Sequence, residues 1–105
     1  MYASIRRYPI SESKWDEIAG AIRDEFVPII SAAPGFRNYY LVKGGPNVLA
    51  TVSVFETQAQ AEDSNRLAAD FVGRRLASLI EGPPEITSGE ILANASAQAA
   101  GGATG

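Results

Sequence analysis

Apolar positions along the chain switch between two periods, and the switches predict its elements. Residues 2–8, YASIRRY, read as a strand, and Pro9 ends it because proline has no backbone donor. From Trp15 the spacing lengthens: Trp15, Ile18, Ala19, Ile22, Phe26, Ile29 and Ile30 make one helical stripe, with Glu12, Lys14, Asp16, Glu17, Arg23, Asp24 and Glu25 mostly off it. Ser11 or Ser13 is the expected cap, and Ser13 with Asp16 resembles a weak capping box. Pro28 inside the stripe predicts a kink or a restart, and Pro34-Gly35 ends the element.

The stretch 34–55, PGFRNYYLVKGGPNVLATVSVF, constrains the fold most. Its two runs, 36–43 and 48–55, are rich in aromatic and β-branched residues, and the glycines of Lys43-Gly44-Gly45-Pro46-Asn47 permit the positive φ that a hairpin needs. Thr57 and Gln60 then read as a capping box opening a second helix. Its stripe is Ala61, Ala68, Phe71, Val72, Leu76, Leu79 and Ile80, and Gly82-Pro83-Pro84 stops it. A fourth strand is expected at about 85–93. The order β-α-β-β-α-β predicts an α+β, ferredoxin-like domain at 1–93: one antiparallel sheet with two helices on one face. Residues 94–105, small and polar, are expected to form a flexible tail.

By strict alternation Phe36, Asn38, Tyr40 and Val42 share one face of the second strand, and Arg37, Tyr39 and Leu41 the other. Val48, Ala50, Val52 and Val54 oppose Leu49, Thr51, Ser53 and Phe55 on the third. Helices cover only one face, so the apolar residues of the other predict a partner, most simply a second copy in a homodimer.

Composition removes more chemistry than it suggests. The 105 residues fit one domain, and none is cysteine or histidine. Thiolate nucleophiles, zinc-thiolate sites, a serine triad with its histidine base, and the usual haem ligand are therefore excluded within the chain. The net charge of -3 argues against nucleic acid and anionic membrane as partners. No apolar run approaches the roughly 20 residues of a membrane span. MYASIRRYPI lacks the apolar region of a signal peptide, so the expected location is cytoplasmic.

The element order, the PGF before the second strand, its paired tyrosines, and SVFETQAQAEDSNRLAADFV running into the second helix resemble the dimeric α+β barrel superfamily. Within it the chain most resembles the antibiotic biosynthesis monooxygenase-like family, over residues 2–93. The resemblance implies two sheets packed face to face in a dimeric barrel, with a pocket between sheet and helices in each protomer. It also implies an activity, since characterised members include cofactor-independent oxygenases of polyketide-type aromatics and haem-degrading enzymes. The haem-degrading members use a first-strand asparagine, a tryptophan ending the third strand and a second-helix histidine. Here the matching positions hold Arg6 or Arg7, Phe55, and the stretch around Arg74, so no residue fills the haem-ligating role. No cofactor or metal is expected.

A cofactorless oxygenase needs an apolar pocket with a few aimed polar groups. Arg7 or Arg6 could stabilise a substrate anion, and the expected catalytic set is Arg7, Asn38 and Tyr40. Trp15, Tyr39, Phe55 and Phe71 are the expected substrate-binding residues. Each has a structural alternative: Trp15 lies on the apolar stripe and one of Tyr39 and Tyr40 serves core or interface. Likewise Asn38 can be a satisfied structural amide, one of Arg6 and Arg7 is solvated or ion-paired, and Ser64-Asn65-Arg66 is helix surface unless it rims the pocket. Two functional expectations follow. One is a monooxygenase acting without cofactor on a small aromatic or quinol-like metabolite; the other is a dimeric small-molecule binding protein without turnover.

Overall fold

The computed structural model describes residues 1–97, so residues 98–105 of the expected tail lie outside the described residues. Four strands, β1 (Tyr2–Pro9), β2 (Phe36–Lys43), β3 (Val48–Phe55) and β4 (Glu85–Glu90), form an antiparallel sheet in the order β2-β3-β1-β4. A first helical run connects β1 to β2: α1 (Trp15–Ala21), a π-helical turn (Ile22–Phe26) and α2 (Val27–Ser31). The second run is α3 (Gln58–Phe71) continued by a π-helical turn, Val72–Leu76. The ferredoxin-like α+β order is as the periodicity predicts.

Local chemistry sets most boundaries. Thr57 and Gln60 make the full capping box of α3, each side chain bonding the other's backbone N–H. The restart expected near Pro28 is realised upstream of it, where the π turn hands over to α2 with the proline in its first positions. No side-chain cap forms at Ser11 or Ser13. Their hydroxyls bond each other at 3.2 Å and a short 3-10 turn, Glu12–Lys14, leads into α1 instead. β4 ends at Glu90, three residues sooner than expected, although the Ile91 N–H still reaches the Met1 carbonyl at 2.8 Å.

Both helical runs pack on one face of the sheet. Ile10, Ile18, Ile22, Phe26 and Ile30 interlock there with Leu49, Phe55, Phe71 and Leu76, all at most 4% exposed. Each such side chain contributes about 1.5–3 kcal/mol of burial. The alternation expected for β2 fails at its start: a bulge falls between Phe36 and Asn38. The extra residue turns Phe36 onto the helix face, edge-to-face with Phe55 at 5.8 Å, while Asn38, Tyr40 and Val42 stay on the open face. On the open face Ile5, Tyr40, Val42 and Val48 are 36–53% exposed, and residues 91–96 line a groove beside Asn38, Tyr40 and Val54 at one end of it. No helix is long and apolar enough to cross a membrane among these residues.

Candidate functional site

Between the sheet and the helices is a small cavity whose polar end is built by alternation on two neighbouring strands. Ser4, Arg6 and Tyr8 of β1 and Leu49, Thr51 and Ser53 of β3 all point toward the helices, and all are buried. Arg6, Tyr8, Thr51 and Tyr39 of β2 line one side of the cavity. Phe26, Phe71, Ile22 and Leu76 close the other, with Phe26 edge-on to Tyr39 at 5.7 Å and tilted against Phe71 at 5.1 Å. The free space is about 20 Å³ for the centre of a water-sized sphere, room for about one water, so a larger ligand must part these walls.

Arg6 dominates the electrostatics. It is 1% exposed, and its guanidinium donates to Asn65 Oδ1 and to Ser53 Oγ, both at 2.8 Å. Ser4 Oγ also donates to Asn65 Oδ1 and shares a hydrogen bond with Ser88, which ties α3 to β1 and β4. All the acceptors on Arg6 are neutral. Among the described residues it forms no ion pair, whereas Arg7, Arg23, Arg37, Arg66, Arg74 and Arg75 each meet a carboxylate. Taking an unpaired guanidinium out of water costs several kcal/mol. Among the described residues two buried side-chain polar atoms have no hydrogen-bond partner, Arg6 Nε and Thr51 Oγ1, and both residues line the cavity. Native interiors rarely leave such atoms empty.

Burial shifts the neighbouring groups in a consistent direction. It pulls Arg6 below the ordinary arginine value, opposed by the Tyr8 and Tyr39 hydroxyls. It pushes Tyr8 up, against the pull of Arg6. Tyr39 is pushed up to about 12, again by burial first, with Arg6 and Thr51 near enough to restrain the rise although neither Nε nor Oγ1 reaches hydrogen-bond geometry. Near neutral pH the polar wall is therefore one cation and two neutral phenols. Arginine stays protonated across the physiological range.

Of the expected site residues, the structure brings Tyr39 and Phe71 together in the cavity. Trp15 sits elsewhere: its indole N–H donates to the Pro46 carbonyl at 2.8 Å, and Lys43 Nζ lies 5.3 Å above its ring. Phe55 is core, 1% exposed, at the Phe36 end of the sheet. Arg7, Asn38 and Tyr40 lie on the open face, outside the cavity. Arg7 is paired with Glu85 and Tyr40 is 53% exposed. Of the adjacent pairs left open by the sequence, Arg6 and Tyr39 are the members turned inward. Tyr8, Thr51 and Ser53 are not singled out by the sequence as a site, and Asn65 enters there only within Ser64-Asn65-Arg66, as helix surface unless it rims the pocket. The available signal was a polar residue on the same alternation phase as the buried ones, twice on β1 and twice on β3.

No protein-family model matches this sequence, and no curated protein matches it. Solved structures do. A Nitrosomonas europaea protein of unknown function is 21% identical, covering 92% of this chain and 94% of that one, at a TM-score of 0.76. An antibiotic biosynthesis monooxygenase, so described from the same organism, is 14% identical over 87% and 89% at 0.73. A Streptomyces coelicolor monooxygenase solved in complex with nanaomycin D is 15% identical over 89% and 92% at 0.67. At such identities the likeness is one of fold, and the chain has the α+β fold of the structures named antibiotic biosynthesis monooxygenases.

Proposed function

We propose that the chain is a cofactor-independent monooxygenase that takes a small aromatic or quinol-like metabolite into this cavity as its anion. The observation that carries the reading is the buried, unpaired Arg6, with its Nε unclaimed beside an aromatic wall. An ionised phenol or enol supplies the missing negative charge, and Phe26 and Phe71 supply faces for its ring. The structures of the same fold described as monooxygenases, one of them holding nanaomycin D, support the choice of chemistry.

The lining contains no group that acts as a base near neutral pH: its titratable members are Arg6, Tyr8 and Tyr39. The substrate therefore ionises by its own acidity, enhanced by the charge of Arg6. The bound anion gives one electron to dioxygen. The carbon radical and superoxide combine into a C–O bond, and the peroxide takes up a proton. Loss of the remaining C–H proton with O–O cleavage then leaves a carbonyl on the substrate and releases water. Substrate CH₂ and O₂ thus become C=O and H₂O, the substrate being the only reductant. A preorganised donor at a developing oxyanion contributes about 10²–10³ in kcat.

The test is oxygen uptake by metal-free protein with a panel of anthrones, naphthols and quinols, each against a protein-free control. Catalytic uptake that falls by about 10²–10³ in Arg6→Met is the expected result. A second reading, ligand retention without turnover, draws on the same absence of a base. It requires stoichiometric binding of these phenols with no product, and that outcome would replace the oxygenase reading.

A further inference from the structure

The Arg6 guanidinium is held by side chains that could have been acidic and are not. We infer that Asn65 is the specificity-determining residue of this cavity: by holding Arg6 with an amide rather than a carboxylate, it leaves a full positive charge for the ligand and restricts the site to anions. The inference rests on the proposed function and refines it. Asn65 Oδ1 is the acceptor for Arg6 Nη1 at 2.8 Å, and Ser4 donates to the same oxygen. Asn65 therefore offers Arg6 the acceptor that an aspartate at this position would also offer, although only the amide donates to Ser88 Oγ. The amide and the carboxylate differ by one heavy atom and one charge, so the position sets the charge of the site at almost constant shape.

The charged and titratable surroundings of Arg6 are few. From its own strand comes the Tyr8 hydroxyl and from β2 the Tyr39 hydroxyl, both neutral. β3 and β4 contribute only Ser53 and Ser88 to the network. Asn65 on α3 is then the place where a single substitution cancels the charge without entering the cavity, since it is not among the lining residues. It positions Arg6 and does not touch the ligand.

The test uses the full chain and 4-nitrophenol, whose phenolate is read by its visible absorbance. In the wild type the bound probe's apparent pKa falls by about 1–3 pH units relative to water. In Asn65→Asp the fall disappears and phenolate affinity drops about tenfold or more. In Asn65→Ala, which removes the acceptor for Arg6 but adds no charge, the fall persists. A structural role alone predicts the reverse order: Asn65→Asp, which still accepts from Arg6, would keep the fall, and Asn65→Ala, which cannot, would lose it. A wild-type depression retained in Asn65→Asp, with the variant folded by urea titration, would sink this inference and leave the proposed function standing. Absence of phenolate binding or of any depression in the wild type would remove both.

Discussion

Replacing Arg6 separates what the residue does for stability from what it does for a ligand. Arg6→Met removes an unpaired buried charge and with it a desolvation cost of several kcal/mol. It also takes the donor from Ser53 Oγ, while Asn65 Oδ1 keeps its bond from Ser4, so the cost is about 1–3 kcal/mol for one buried unsatisfied group. The two effects oppose, so urea unfolding should place the variant within about 2 kcal/mol of the wild type. Anion binding should be lost and oxygen uptake should fall by about 10²–10³. A strongly unfolded Arg6→Met protein would mean that the guanidinium is a structural member and the cavity incidental. Tyr39 makes a separate prediction in alkali. Its proton is held more tightly in the folded chain, about 12 against 10.0, so between these values the folded state binds more protons than the unfolded. Stability is full below pH 10 and is lost as pH rises toward 12, by roughly 2–3 kcal/mol. Tyr8 acts in the same direction. Urea midpoints at pH 9 and 11.5 check this, and Tyr39→Phe should abolish most of the difference. At this scale the sequence was half legible. Alternation shows that Arg6 and Arg7 face opposite sides, but only the packing of α3 over β1 says which side is interior.

Among the elements, the turn from α2 into β2 carries the clearest backbone constraint. Gly35 has φ +77°, and a Cβ there would fall 1.8 Å from Gln60 Oε1, the atom that completes the capping box of α3. Gly35→Ala should therefore cost about 1–2 kcal/mol for the left-handed backbone, and more from the displaced cap. Gly45, φ +80° with open space around it, should cost the backbone part alone on mutation to alanine. Thermal melts of the two variants test whether that difference is real. The π turns make a second kind of prediction. Ile22–Phe26 and Val72–Leu76 both wall the cavity, and Glu25 and Arg75 tie one to the other by two hydrogen bonds of 2.5 and 2.6 Å. A cavity with room for about one water must open there or nearby to admit an aromatic ring. Glu25→Gln should speed 4-nitrophenol association in stopped flow and leave its position-dependent ionisation unchanged. An unaltered rate would place the entrance elsewhere. Helix and strand periods were visible because each repeats over many residues. The bulge at Phe36–Asn38 and the π turns add single residues without a local composition signal, so they escape a period argument.

For the whole molecule, the open sheet face is the unresolved energetic feature, and its argument runs from area to assembly. Ile5, Tyr40, Val42 and Val48 are 38%, 53%, 45% and 36% exposed, and Ala50, Val52 and Val54 lie between them on the same face. A layer of this composition left in water forfeits about 25 cal/mol for every Å² of apolar surface that a partner could cover. A stable protein partner buries about 800 Å² a side, more than one sheet edge offers but within reach of a whole sheet face. A second copy meets this one with the same apolar residues, and the charges at the face are matched within the chain, Arg7 by Glu85 and Arg37, beside Asn38 and Tyr40, by Glu56. The proposed assembly is thus a homodimer through the open faces, with the two helical layers outside and a cavity in each protomer. Val42→Glu tests it, because at 45% exposure the change is tolerated by a single chain, whereas in the dimer it buries an unpaired carboxylate. By sedimentation the wild type should run at twice the chain mass and Val42→Glu at the chain mass, with its 4-nitrophenol ionisation intact, since the cavity opens on the other side of the sheet. A wild type at the chain mass would refute the dimer. A monomeric variant that also loses the depression would show that the partner's sheet is needed to hold β1 and β3, and with them Arg6 and Thr51, in register.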